Sequence, residues 1–414
     1  MGKSYDVVVI GGGAGGIGAA VGAVQSGARA LLVEQYPFLG GAATISSVLT
    51  YCGFFDQRGE RVVSGVGEQV LRQVRNLGGY EEKTMSWTGN RIVLLDTEAT
   101  KLACDTVTAA AGVDVLLHTT LIGARREDGR VTEVELHHRG GRENVTAPAF
   151  VDASGDGALL AAAGAGVRVD PVERRQTSTL VCRFGGVGRD ADLSRDGLRT
   201  AIAAYHHSTG VALARDYGIA VHLPLTGEVI ALLVDEQADV LDAAAFSRDE
   251  ASARRQAWRY LDALRKHLPG WSGAYLIETG PQLGIRESRH LLGRQPLTAS
   301  DVLDARKRPA DSIARCGWPI EDHAGPGVTR YTELAGRGWY DVPYDAICSA
   351  DTGNLWGVGR LTSADAQAYA SVRVMGPAFA TGHAAGVAAA QYADGTPHQV
   401  ATVRAELLRQ DAIV

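Results

Sequence analysis

The sequence predicts an α/β fold, and three stretches predict it. DVVVI at 6–10 runs straight into GGGAGGIG at 11–18, and ARALLVE at 28–34 follows, which reads as strand, tight glycine turn, helix and strand. Residues 113–149 alternate short β-rich runs with turns and lead into VDASGDG at 151–157, a second strand that ends on a glycine turn. NLWGVG at 354–359 is a third such strand, and a helix of small residues comes soon after it. Strand ends that open on glycine turns are where open α/β sheets bind ligands.

The first stretch is the most specific. Gly11, Gly13 and Gly16 fit G-x-G-x-x-G. The first lets the chain turn, the second admits a pyrophosphate to the backbone, and the third lets the helix lie close to the sheet. Free N–H groups at the helix start then face the phosphates. The second strand ends in Glu34, where a carboxylate can accept both hydroxyls of an adenosine ribose and disfavours a 2′-phosphate. A glycine-rich turn without a ligand is the alternative for the motif alone. With strand, helix and terminal acid in register, a dinucleotide is expected.

The bulk composition sets limits. A chain of 414 residues with 45% hydrophobic and 21% charged residues is an ordinary globular protein, long enough for two domains, and 51 glycines against 13 prolines point to many tight turns. The net charge of −6 and the lack of long basic runs argue against a nucleic acid partner. Five scattered cysteines without a C-x-x-C suggest neither a disulfide framework nor a zinc site, so no metal is expected and a reducing cytoplasm fits best. The first strand begins too early to leave room for a signal peptide, and no apolar run approaches the roughly 20 residues of a membrane helix. A homo-oligomer is left open.

Further along, Gly40 and Gly41 offer a second place where backbone could approach a cofactor, a flexible surface turn being the alternative. Ser64 is expected to cap a helix carrying Val66, Val70, Val74 and Leu77, and Asp96 another that buries Ala99, Ala103, Val107 and Ala110 and stops at Gly112. The runs between Val113 and Ala149 read as a strand plus an antiparallel meander. After Val167 the composition shifts. LVCRF, IAVHLPL and VIALLV read as strands, interleaved with a helix begun by a capping box at Ser247 and Glu250 and buried along Ala257, Leu261, Leu264 and Leu268. Pro377 is expected at the first position of the last small-residue helix.

Taken together, GGGAGGIG with Glu34, the Gly40-Gly41 pair, VDASGDG, GIRESRHLLG at 284–293, WPIEDH ending at His323, and NLWGVGR followed by SVRVMGPAFATGHAAG resemble the FAD-dependent oxidoreductase family of glutathione-reductase-like flavoproteins, related to fumarate reductases and aspartate oxidases. The resemblance covers most of the chain and is weakest over residues 168–274. One departure is Ala-Ser-Gly in VDASGDG, where relatives usually carry Ala-Thr-Gly. The implied fold is a Rossmann-like FAD-binding domain with an antiparallel meander, made of residues 1–167 and 298–414, and an inserted α+β substrate domain at 168–297 that covers the flavin face.

The resemblance implies that Gly11, Gly13, Ala14, Gly15 and Gly16 hold the pyrophosphate of FAD, Glu34 and Gln35 the adenosine ribose, and backbone near Leu121 the adenine. The isoalloxazine would lie by Gly40, Gly41, Ala42 and Ala43, the ribityl chain would pass Gly155 and Gly359, and Ala153, Ser154 and Arg360 would also bind the cofactor. The helix starting at Met375 and Gly376 would point its N-terminus at the flavin, with Gly376 leaving room for the ring.

In relatives that act on carboxylated substrates, Arg and His residues near the flavin grip the anion. The matching motifs here offer Arg286, His323 and Arg373 as catalytic residues. Arg binds a carboxylate through two parallel bonds, and His can move a proton near neutral pH. The alternatives are a buried ion pair of Arg286 with Glu287 or Glu321, an ordinary satisfied histidine at 323, and support of the cofactor loop by Arg373. The lack of a C-x-x-x-x-C pair argues against a disulfide reductase, and the lack of a second dinucleotide unit against a dedicated NAD(P)H domain. The expected activity is hydride transfer between FAD and a small, anionic organic substrate, as a dehydrogenase or oxidase. A flavin monooxygenase or halogenase, or an FAD-carrying electron-transfer subunit, is the alternative.

Overall fold

A computed structural model describes residues 3–396 and 399–414; Met1, Gly2, Pro397 and His398, which fall within the expected cofactor domain, lie outside the described residues. Its centre is a five-stranded parallel sheet in the order Leu355–Gly357, Ala149–Asp152, Val7–Ile10, Ala30–Val33, Asp114–Leu116. The central strands Val7–Ile10 and Ala30–Val33 are apolar throughout because both faces are covered. Val7 and Val9 join the cluster on the helical side, while Val8 and Ile10 join the one beneath the meander. That meander pairs Thr120–Glu127, Arg130–His138 and Gly141–Thr146, and Lys3–Ser4 adds a parallel edge strand. VTAPAF, expected in the meander, is divided: its end belongs to the parallel sheet as Ala149–Asp152.

The helix Ala14–Gln25 starts from the glycine turn and lies against the helix Met375–Ala393. Small residues make this crossing close. A Cβ on Gly382 would stand 2.0 Å from the Gly15 carbonyl oxygen, and one on Gly386 would stand 1.9 Å from that of Ala19. Pro377 is the third helical residue rather than the first. It still lies in the opening turn, where no intrahelical N–H is required.

The helix Thr97–Ala111 forms as its sequence predicts, with the Asp96 carboxylate accepting the Ala99 N–H and Gly112 left-handed at the end, although Ala110 is exposed. Two expected helix starts differ. Val66–Asn76 begins at Gly65, with no side-chain cap from Ser64. The long helix begins a turn earlier than Ser247, as Ala243–His267, because Asp242 caps it, and the Ser247 hydroxyl donates to the Ala243 carbonyl instead.

Beyond the antiparallel pair Val167–Val169 and Arg289–Leu291, the intervening chain forms a four-stranded sheet in the order Ile219–His222, Val229–Glu236, Ser178–Gly185, Tyr275–Thr279. Arg195–Thr209 and Ala243–His267 pack with it around a hydrophobic cluster drawn entirely from residues 180–285. A three-stranded sheet of Thr50–Tyr51, Arg91–Leu95 and Tyr80–Thr84, unread in the sequence, completes the walls around the site.

Candidate active site

One cavity runs from the carboxyl ends of the parallel strands to the four-stranded sheet. Gly11, Gly13, Ala14, Gly15, Glu34, Gln35, Gly40, Gly41, Ala42, Leu121, Ala153, Ser154, Gly155, Gly359, Arg360 and Met375 line it, and so do Arg286, His323 and Arg373. The expected cofactor residues and the expected catalytic residues therefore share one space. Gly16, Ala43 and Gly376 do not line it. Gly16 lies against the Gly11 carbonyl, where a Cβ would come within 1.7 Å, so it serves the approach of helix to strand. Ala43 is fully buried behind the wall. Gly376 faces Gly53, whose carbonyl carbon would be 2.4 Å from a Cβ, and its N–H donates to the Cys52 carbonyl. The room it leaves is for a loop, not a ring, and this corrects the expected placement.

At the nucleotide end the chain's own groups are preset. Gly11 has φ +101°, a left-handed backbone suited to glycine. Gly13 and Gly41 face each other so closely that a Cβ on Gly41 would stand 2.7 Å from the Gly13 Cα, so the second glycine pair is part of the dinucleotide turn rather than a loose surface loop. The buried Glu34 carboxylate accepts the Gly12 N–H at 2.6 Å and the Tyr36 N–H at 2.9 Å, and burial raises its pKa against those bonds. Each oxygen keeps a lone pair for a ribose hydroxyl. The buried Asp152 carboxylate accepts the Ser154 hydroxyl at 2.6 Å and the Leu160 N–H at 2.8 Å. The Ser154 hydroxyl in turn accepts the Ala158 N–H, so serine does in this turn what its position requires. Together with the helix start at Ala14, this cradle fits a dinucleotide such as FAD.

At the other end, Arg286 is a half-buried cation without an ion pair among the described residues. Its guanidinium donates to the Thr177 carbonyl and, at 2.8 Å, to the Thr179 hydroxyl. The Thr179 hydroxyl donates onward to Asp235 at 2.8 Å, and Asp235 pairs with Arg215 at 3.1 Å. Burial and the nearby Arg373 charge lower the Arg286 pKa to about 10. Neither expected partner takes it: Glu287 accepts from His290 and from the Gln176 N–H, and Glu321 is engaged elsewhere. Arg373 donates to the Gln176 side chain at 3.0 Å and to the Glu321 carbonyl at 3.1 Å.

Glu321, named from the sequence only as an alternative ion-pair partner of Arg286, is the main residue whose place in the site sequence reasoning missed. Its carboxylate accepts the Tyr331 hydroxyl at 2.7 Å and the Trp318 indole N–H at 3.0 Å, and lies 3.4 Å from the His323 Nε2. Burial would push its pKa up, but His323, Arg373 and Tyr331 together hold it well below the usual carboxylate range. The usable signal was local. Glu321 and His323 share one face of the strand Ile320–Gly325 by their spacing of two, and the turn that follows returns Tyr331 opposite Glu321.

His323 hydrogen-bonds the Thr329 hydroxyl through Nδ1 at 3.1 Å. Burial, then the Arg286 charge, lower its pKa to about 4, so the ring is neutral at pH 7 and does not titrate near neutrality as expected. His383, buried between the crossing helices and bonded to Gln410, is likewise lowered to about 4 by burial. Both rings bind protons less readily in the folded than in the unfolded chain, whose ordinary value is 6.5. Stability from these two groups is therefore full above about pH 6.5 and lost as pH falls toward 4, with Glu321 adding its own loss only below the ordinary carboxylate value. Thermal unfolding between pH 4 and 8 should show this slope, and His383→Gln should reduce it. A melting temperature flat across that window would show that the histidines are not held neutral.

The model of the FAD dependent oxidoreductase family matches residues 6–411 of the chain. A digeranylgeranylglycerophospholipid reductase of Thermoplasma volcanium is 27% identical over 158 residues, 37% of this chain and 40% of that protein. The match thus spans about two fifths of the relative's length. Among solved structures, a geranylgeranyl bacteriochlorophyll reductase-like protein from Thermoplasma acidophilum aligns with a TM-score of 0.53 at 14% identity, covering 99% of this chain and 84% of that one. A flavin-dependent brominase aligns with a TM-score of 0.50 at 13% identity, again over 99% and 84%. At such identities the likeness is one of fold.

Proposed function

This chain belongs to the FAD dependent oxidoreductase family, and we propose that it transfers a hydride between FAD and a small organic anion bound on Arg286 and Arg373. The observation that carries this reading is the half-buried Arg286 guanidinium, which has no ion pair among the described residues and lines the same cavity as the dinucleotide turn. A cation drawn partly out of water is costly unless something compensates it, and a substrate carboxylate supplies the missing charge. FAD, when bound, supplies the hydride acceptor or donor.

The chain's residues then have distinct tasks. Thr177 and Thr179 fix the Arg286 guanidinium, and Gln176 fixes that of Arg373. Glu321 balances one of these two charges and holds the His323 ring. An anion on Arg286 offsets the charge that lowers the His323 pKa, so binding raises the proton affinity of that ring and readies it to take a proton from the substrate. The brominase likeness keeps a flavin monooxygenase or halogenase as the second reading, at the level of fold.

The experiment is an anaerobic spectral screen of the FAD-loaded protein against a library of carboxylic, hydroxy and amino acids. Bleaching of the flavin in proportion to one such acid is the expected result. A monooxygenase would not bleach with substrate alone, and a bare electron carrier would bleach only with a protein donor, so either pattern would overturn the reading.

A further inference from the structure

The cavity continues past the arginines along a surface that no charged group interrupts. Thr179, which holds Arg286, and Val181 lie on the strand Ser178–Gly185, and both face the cavity. Val181 is in register with Leu232 on the next strand, and Leu232 with Ile219 on the strand beyond, and these two also line the cavity. With strands about 4.8 Å apart, this row of three apolar side chains extends about 10 Å from Val181 to Ile219, starting about 7 Å along the strand from Thr179. Ile92 on the three-stranded sheet, and Met85 just past the end of its strand Tyr80–Thr84, line the same cavity. None of these five side chains offers a nitrogen or oxygen atom to water or to a second charge.

We propose that the substrate is a monoanion with an extended apolar tail, its acid group on Arg286 and its tail laid on the Val181, Leu232 and Ile219 row. The proposal rests on the anion reading above and specifies it further. A tail on this row removes apolar surface from water at both partners, whereas a small dicarboxylate held on Arg286 and Arg373 leaves the row uncovered. Chain length thus becomes the main determinant of affinity, and the arginine fixes orientation.

The test titrates the FAD-loaded protein with straight-chain carboxylates from acetate to decanoate, with succinate, and with the matching primary alcohols, following the perturbation of the flavin absorbance. The dissociation constant is expected to fall about fourfold for each added methylene until the row is covered. Leu232→Asp and, independently, Ile219→Asp should flatten that dependence; two sites guard against one variant misfolding. A flat series in the wild-type protein, or tighter binding of succinate than of the longer monoacids, overturns the tail while leaving the anion reading. Alcohols that bind as tightly as the acids, or no perturbation by any acid, overturn the anion reading itself and the proposal with it.

Discussion

Arg286→Ala will slow substrate-dependent flavin reduction by roughly 10- to 150-fold while leaving FAD bound. Losing a hydrogen bond to a charged group costs about 1.5 to 3 kcal/mol, which sets that range. The guanidinium is held by a carbonyl and a hydroxyl rather than by a carboxylate, so its removal strands no buried anion and the fold should tolerate it. Its contacts are also separate from the glycine turn that receives the dinucleotide. Arg286→Lys should recover only part of the rate, because a point charge keeps the attraction but not the two parallel bonds. Stopped-flow reduction under anaerobic conditions measures both variants. Wild-type rates in Arg286→Ala would make this residue structural, and the unpaired charge would then need another explanation.

The second large effect is on stability. Gly382→Val should lower the melting temperature by on the order of 1 to 4 °C in a chain of 414 residues and weaken FAD retention. A side chain there must displace the Gly15 carbonyl, only 2.0 Å from an added Cβ, and Gly15 itself lines the nucleotide end of the cavity. Overpacking of this kind typically costs about 1 to 3 kcal/mol, and more where the neighbour is backbone that cannot yield. Gly353→Ala is the control, since an added Cβ there meets nothing within 4 Å. Equal melting temperatures for the two variants would show that the helix crossing is looser than its geometry requires.

What the sequence revealed about this molecule was what short-range chemistry dictates. The strand, glycine turn and Glu34 follow one another closely, and Asp96 with Gly112 marks both ends of a helix by capping alone. Arg286, His323 and Arg373 entered through motif resemblance, and they line one cavity. Contacts between distant segments were not legible. The support of Arg286 by Thr179, Asp235 and Arg215 joins separate parts of the chain through side chains that nothing in their neighbouring sequence links. Gly376 was read in the wrong direction for a related reason: small residues show that something approaches closely, but not which neighbour, and here it is the Gly53 loop. The His323 pKa was missed because burial and the Arg286 charge are properties of the assembled cavity.

The helix crossing also fixes when the protein can acquire its cofactor during synthesis. The glycine helix Ala14–Gln25 leaves the ribosome about 340 residues ahead of the sheet strand Leu355–Gly357 and about 360 ahead of its covering partner Met375–Ala393. At about 5 to 20 residues per second, the delay is tens of seconds, far longer than local helices and hairpins take to form. During that interval the nascent chain holds a partial sheet with one edge and one helical face uncovered. Cofactor capture is consequently expected only after that strand and helix have arrived, and until then the uncovered edge and face are exposed to aggregation.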